Sequence, residues 1–422
     1  MVDQPPLDKI GQQHLLTLYS ITRTINSSLD FDVVLNTVMD SVMHVTRAQR
    51  GFLMVADDDG RLGVRVARGL DGETLMDEAR YSTSVVNEVV ATQQALLTNN
   101  AQYDNRYKVG QSIIMQGLRS ILCAPMLVKN RLIGVVYVDS SIRSGNFKDE
   151  DLFLLLAVAG QAAVAIENAR LYRVAVEKGR LERELQMARE IQESLLPRRM
   201  PQLYGYDVAA RWRSAREVAG DFYDLFQLSD DSFGAVIADV SDKGAPAALF
   251  MASARSMIRS HAFAGLTAID TLARTNDLIL DDTENGMFVT VCYSIFDASG
   301  HVTSVIAGHN PPLIYRRDQH RVGFLPRGGR AIGWFPNNPL RNVDIQLRPG
   351  DVIVCYTDGL TEAENRAGEY FGEERLARAV LESADLSAEG IIDHIEQAVD
   401  AFTGDMPAFD DLTLCVVCYA GR

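Results

Sequence analysis

The sequence predicts an α+β multidomain chain. It reads as an N-terminal domain on an antiparallel sheet, a helical linker, and a C-terminal domain of β-sheets with helices outside them. Three observations carry this. Up to about Tyr172, strand signals that include a tight hairpin lie between helical ones, the pattern of helices laid on an antiparallel sheet. From Leu171 to Leu196, apolar residues recur at every third or fourth position of an otherwise polar run that Pro197 ends. Beyond Pro201, strands outnumber helices and come in runs, which argues against a doubly wound parallel sheet. The 422 residues suffice for two or three domains at roughly 150 residues each.

The elements follow in order. Residues 8–28 carry Leu15, Leu18, Ile25 and Leu29 at helical spacing, and a second helix carries Val33, Val34, Val38, Val42 and Val45. Strands are expected at 51–56 and 62–67 around the turn Asp58-Asp59-Gly60, and a helix from Ser84 to Thr92. Residues 120–128 and 132–138 form a strand pair turned at Lys129-Asn130-Arg131, and a strongly apolar helix spans Asp149 to Tyr172. In the linker, Leu171, Val174, Lys178, Leu181, Leu185, Ala188, Gln192 and Leu195 make a mostly apolar seam, as in a short coiled coil, which implies a homodimer. The alternative is a helix lying on its own domain. Later strands are expected at 206–213, 222–228, 233–240, 287–297, 302–307, 312–316, 352–357 and 412–419. Later helices are expected at 245–263, 266–282, 372–384 and 388–403. The domain boundaries are therefore 1–172, 173–199 and 200–422.

Composition narrows the function classes. Lys and Arg total 41 against 56 Asp and Glu, a formal charge of −15, which argues against a general nucleic-acid binder or a nuclease. The 47% hydrophobic and 23% charged content excludes whole-chain disorder and a collagen-like fibre. The five cysteines are too few and odd in number for a secreted disulfide scaffold. The single CxxC, Cys415 and Cys418, falls in a strand whose two thiols point to opposite faces, with no second pair to complete a zinc site. The start lacks the basic and apolar regions of a signal peptide, and the apolar run from Leu152 to Ile166 falls short of a membrane span. A cytoplasmic protein without membrane partners is expected.

Acidic residues of the C-terminal part sit where charge is costly. Asp221 precedes Phe-Tyr-Asp224, Asp239 ends the apolar run from Gly234, Asp358 ends that from Val352, and Asp410 and Asp411 precede Leu412 to Val417. No Lys or Arg cluster matches them, so a hard divalent cation, Mn²⁺ or Mg²⁺, is the simpler partner, with turns and helix caps as the other reading.

The segments VAGDFYDLF (218–226), DVSDKGAPAALFM (239–251), FVTVCYSIFD (288–297), AGHNPPL (307–313), GDVIVCYTDGLTEA (350–363) and FDDLTLCVV (409–417) occur in that order. Together they closely resemble the SpoIIE/RsbU-like branch of the metal-dependent PPM protein phosphatases. The resemblance implies a β-sandwich flanked by helices and two Mn²⁺ or Mg²⁺ ions per phosphatase domain. It implies Asp221 and Asp239 as central ligands beside the carbonyl of Val240. Asp358 and Asp410 would complete the second site, and Asp411 would be an outer or third-metal residue. The nucleophile would be a metal-bound water positioned by Asp221, Asp239, Asp358 and Asp410, not a side chain. Asp224 would hold the loop. Two departures stand out: Ala219 where the family usually has Gly, and Asp242 where it usually has Gly. Asp242 raises the alternative of a non-catalytic, ligand-sensing scaffold that signals through protein contacts. His309, between Gly308 and Asn310-Pro-Pro, reads first as structural and second as a proton donor to the leaving group. Arg213, Arg216 and Lys243 are ambiguous between phosphate contacts and exposed charges.

The N-terminal part resembles a GAF domain through Leu29-Asp30, Arg50-Gly51-Phe52-Leu53, residues 117–126, Ile133 to Asp139, and the helix ending Glu167-Asn-Ala-Arg-Leu-Tyr172. The ligand, a small molecule or a protein, is not legible. Cys123 reads as core and His44 as an ordinary helical histidine. The whole is expected to be a bacterial signalling phosphatase. By the family resemblance it would act on phosphoserine or phosphothreonine of a regulatory protein such as an anti-sigma-factor antagonist, under control of the GAF domain through a dimeric helix.

Overall fold

The computed structural model describes residues 12–57, 59–69, 81–99, 118–141, 147–282 and 286–421. Two units divide at Arg180 and Leu181. Residues 8–11, Asp58 and Gly117 of the expected elements lie outside the described residues.

In the first unit, helices α1 (Gln12–Ile25) and α2 (Phe31–Thr46) precede strands β1 (Arg50–Ala56) and β2 (Leu62–Gly69). Asp30 starts α2 by accepting the backbone N–H groups of Asp32 and Val33, both at 3.0 Å, so two of the orphan donors of the first turn are satisfied. Then come α3 (Thr83–Thr92), β3 (Leu96–Thr98), β4 (Leu118–Val128) and β5 (Arg131–Ser141). The β4–β5 hairpin turns on Lys129 and Asn130, both at positive φ (47° and 67°), the backbone twist that two-residue hairpins favour. The antiparallel sheet runs β2-β1-β5-β4-β3.

Alternation along β1 sorts its residues between two cores. Leu53 and Val55 pack with Val34, Val38, Val42, Leu155, Ala159 and Ile166, whereas Phe52 and Met54 pack with Val85, Val89 and Tyr137. Arg50 and Asp139 pair directly across β1 and β5 and form a two-pronged ion pair (2.9 and 2.7 Å) with Asp139 buried. Cys123 is buried in the second of these cores and His44 is exposed on α2.

The sequence divides residues 149–196 into a domain helix and a linker helix; the structure has one helix, α4 (Asp149–Leu195), of 47 residues. No proline or glycine pair interrupts it, and Gly160 and Gly179 stand alone in strong helix formers. By length and composition α4 is the one helix among the described residues apolar enough to cross a membrane, but half of its most apolar stretch is buried in protein. Leu171, Val174 and Leu181 of the expected seam are exposed. Gln192 departs from that seam: it is buried in the second unit.

The second unit is a double sheet. Strands β6 (Tyr206–Arg213), β7 (Phe222–Ser229), β8 (Ser232–Val240), β9 (Val289–Asp297), β10 (His301–Ala307), β11 (Leu313–Arg316), β12 (Arg321–Phe324), β13 (Val343–Gln346), β14 (Asp351–Tyr356) and β15 (Leu412–Tyr419) make two antiparallel sheets. Their orders are β13-β10-β9-β8-β7 and β12-β11-β14-β15-β6. Phe233, Ile237, Cys292, Phe296 and Ile306 of one sheet meet Ile353, Cys355, Cys415 and Val417 of the other. Helices α5 (Ala245–Phe263) and α6 (Ala268–Asp282) cover the first sheet's outer face. Helices α8 (Gly372–Ser383) and α9 (Ala388–Thr403) cover the second sheet's outer face, and a single turn, α7 (Asp358–Thr361), follows β14. Cys415 faces the inter-sheet core and Cys418 the helices, as the strand reading of the CxxC requires.

Candidate metal centre

Pairing brings the acidic residues to one end of the double sheet. Asp221 immediately precedes β7, and Asp239 is near the end of its antiparallel neighbour β8. Asp358 follows β14, and Asp410 and Asp411 precede its neighbour β15. Carboxylates more than a hundred residues apart thus share one edge of the sandwich. A pocket of about 350 Å³ there is lined by Asp239, Val240, Asp242, Lys243, Asp410 and Asp411 among others.

Their electrostatics show the mutual proximity. Burial, then Asp239 and Asp411, push Asp221 well above the usual carboxylate range, although Thr357 and Thr413 hydrogen-bond to it. Burial, then Asp358, Asp410 and Asp411, raise Asp239. Burial, then Asp410, raise Asp358 against the opposing backbone of Gly359 and Lys243. Such a set is unstable as bare anions, and either protons or a cation must neutralise it.

The side chains divide into those held by protein and those left to face the pocket. Asp221 is 3% exposed, and its Oδ2 accepts the Thr413 hydroxyl at 2.8 Å while its carbonyl accepts Trp212 Nε1 at 3.0 Å. Asp411 turns both oxygens to the 214–220 loop: Oδ1 accepts Ala215 N–H (2.8 Å) and the Ser214 hydroxyl (3.2 Å), and Oδ2 accepts Gly220 N–H (3.1 Å). Asp410 accepts Lys243 Nζ at 2.7 Å, and that ammonium also lies 4.5 Å from the Phe409 ring. The Val240 carbonyl accepts Asp242 N–H at 2.8 Å, which leaves it a second lone pair. Among the described residues, no three His, Cys, Asp or Glu side chains stand close enough to enclose one ion by themselves. Mg²⁺ and Mn²⁺ do not need that: they keep several waters and take one or two carboxylates, so Asp221 or Asp239, with Asp358 or Asp410 beyond, fit as donors together with the Val240 carbonyl.

The remaining candidates separate clearly. Asp224 is buried between Arg255 (3.0 Å) and Arg259 (2.7 Å) and ties β7 to α5. Arg213 pairs with Asp400 and Glu396 on α9, away from the pocket that Arg216 lines. Asp242 is exposed, and its Oδ1 accepts Lys243 N–H at 2.8 Å. His309 is 2% exposed, with Nδ1 2.8 Å from the Thr290 hydroxyl, which lies 3.5 Å from the Asp239 carbonyl. Burial lowers its pKa to about 4, so it is neutral near pH 7.

Sequence reasoning missed Thr357, Thr413, Gln192 and Glu362. Glu362 stands four residues after Asp358, and burial, then Asp358 and Asp410, raise it. Its signal was the i, i+4 spacing within TDGLTEA.

A double sheet flanked by helices, with clustered carboxylates at one end, is the architecture of the PP2C-like phosphatase fold. A family model, Stage II sporulation protein E (SpoIIE), matches residues 229–420, and a GAF domain model matches residues 28–167. Asp221 lies before the SpoIIE match, while Asp239, Asp358, Asp410 and Asp411 lie within it. Protein IcfG of Synechocystis sp. is 31% identical over 313 residues, 66% of this chain and 47% of that protein. Phosphoserine phosphatase RsbU of Bacillus subtilis is 27% identical over 266 residues, 63% of this chain and 78% of that protein. The chain thus spans about half the length of IcfG. The SiaA-PP2C domain of Pseudomonas aeruginosa shares the fold, with a TM-score of 0.51 at 22% identity, over 58% of this chain and 99% of that one.

Proposed function

We propose that the chain is a cytoplasmic signalling phosphatase that hydrolyses phosphoserine or phosphothreonine on a regulatory protein with two Mn²⁺ or Mg²⁺ ions. The observation that carries this is the convergence of Asp221, Asp239, Asp358 and Asp410 at adjacent strand ends, three of them raised by burial and by one another. The similarity to Phosphoserine phosphatase RsbU supports the substrate class. Bound there, divalent ions would polarise the phosphoryl oxygens and lower the pKa of an attacking water. Asp221 and Asp239 would be the central ligands beside the Val240 carbonyl, and Asp358 and Asp410 would complete the second site. Arg216 and Lys243 line the same pocket and offer positive charge to an incoming phosphate. The exposed Leu171, Val174 and Leu181 of α4 supply an apolar stripe for a second copy, so a homodimer controlled by a ligand of the GAF domain is part of the proposal.

The test is hydrolysis of p-nitrophenyl phosphate and of a phosphoserine protein by the full chain, with Mn²⁺, with Mg²⁺ and with chelator, beside Asp239→Asn. Turnover that needs metal and falls at least a hundredfold in the variant is expected. Equal turnover in chelator, or in Asp239→Asn, would overturn the assignment.

A further inference from the structure

We propose that Gln192 is a positioning residue of the metal centre, through which the end of α4 grips the segment carrying Asp221. The proposal rests on the metal-centre reading above and deepens it.

The observations are local to the second unit. Gln192 is 4% exposed, whereas its neighbours Ile191 and Glu193 face solvent. Its amide takes both backbone groups of one residue: Nε2 donates to the Ala219 carbonyl at 2.9 Å, and Oε1 accepts the Ala219 N–H at 3.1 Å. This copies the paired bonds of an antiparallel strand neighbour with one side chain. Ala219 is fully buried and has no solvent to replace a lost partner. The next N–H, that of Gly220, is held from the other side by Asp411. The residue after it is Asp221, whose carboxylate is fixed by Thr413. Three successive residues are therefore pinned, the first by the helix and the next two by the β15 side of the centre.

The geometry makes the grip sensitive to the helix. A helical residue advances 1.5 Å and turns 100°. A shift of α4 by one residue carries the Gln192 amide beyond hydrogen-bond range of Ala219 and breaks both bonds at once. Because α4 begins at Asp149 in the first unit, the residue that touches the Asp221 segment belongs to the same helix as that unit's core. An apolar side chain of equal length would fill the space without fixing Ala219, so the amide is what couples helix to ligand.

The experiment compares full-length wild type with Gln192→Met, which keeps length and helix propensity, and Gln192→Glu, which keeps only the acceptor for Ala219 N–H. Mn²⁺ binding is read from the loss of the free-ion electron paramagnetic resonance signal. Folding is read by circular dichroism melting in chelator. The kcat and KM for p-nitrophenyl phosphate are read against Mn²⁺ concentration. Expected is a cooperative melt in each variant with Mn²⁺ affinity at least tenfold weaker, and a KM at saturating Mn²⁺ within twofold of wild type. A folded Gln192→Met whose Mn²⁺ titration overlays wild type overturns the proposal. If that variant does not fold, the titration of Gln192→Glu decides by the same criterion. Absence of turnover in wild type would sink the phosphatase reading, while the Mn²⁺ titrations still judge Gln192.

Discussion

The carboxylate of Asp411 accepts the backbone N–H of Gly220 at 3.1 Å, so the residue before β15 holds the residue before Asp221. Its other oxygen accepts the N–H of Ala215. The two donors meet different oxygens, and an amide offers an acceptor at only one of those two positions. Asp411→Asn is therefore expected to leave a buried N–H unpaired, at a cost of about 1–3 kcal/mol in urea unfolding. It should still bind Mn²⁺, less tightly than wild type, whereas Asp239→Asn should not bind it measurably. Complete loss of Mn²⁺ binding in Asp411→Asn would instead make Asp411 a direct ligand.

Gly359 allows the closest approach in the centre. A Cβ there would stand 2.0 Å from the carbonyl oxygen of Asp411, a contact backbone cannot relieve without moving. Gly359→Ala is thus expected to displace Asp410 and Asp411 from Asp358, abolish metal-dependent turnover and lower the melting temperature. Wild-type turnover in this variant would show that the two strand ends are not in contact in solution.

The fold was legible wherever hydrophobic period and turn chemistry agreed. The expected strands at 206–213 and 412–419 and the helices at 245–263 and 388–403 match the structure to the residue. Strands β12 and β13 escaped because they are edge strands of only four residues, too short to show a period of two, and β3 because it has three residues. The centre was half legible. Asp221, Asp239, Asp358 and Asp410 betray themselves as acids against apolar runs, whereas Thr357 and Thr413 act through pairing of β14 with β15, which no local pattern reports. Gln192 was read as a polar interruption of a coiled-coil seam because helical period shows which residues share a face but not what covers it.

Asp242 is expected to be nearly silent. It is exposed, and one oxygen is engaged with the N–H of Lys243. Asp242→Gly should change kcat/KM for p-nitrophenyl phosphate by less than about threefold, in line with the small effects of exposed charges. Turnover that appears only after this substitution would favour the non-catalytic scaffold.

His309 is expected to give a pH signature in folding. Burial holds it near 4 in the folded chain, against an ordinary value of 6.5. As pH falls below 6.5 the unfolded chain takes the proton first, so stability from this group is complete above that value and is lost progressively toward pH 4. Between pH 7 and pH 5 the loss amounts to about 2 kcal/mol for one such proton. His309→Gln removes the titration and keeps a side chain able to meet Thr290. Urea unfolding in chelator at the two pH values should show wild type losing about 2 kcal/mol more than the variant, since every other titrating group cancels in the difference. Equal losses in wild type and variant would overturn the lowered value, and a shifted pH profile of kcat in the variant would show that His309 also moves a proton during turnover.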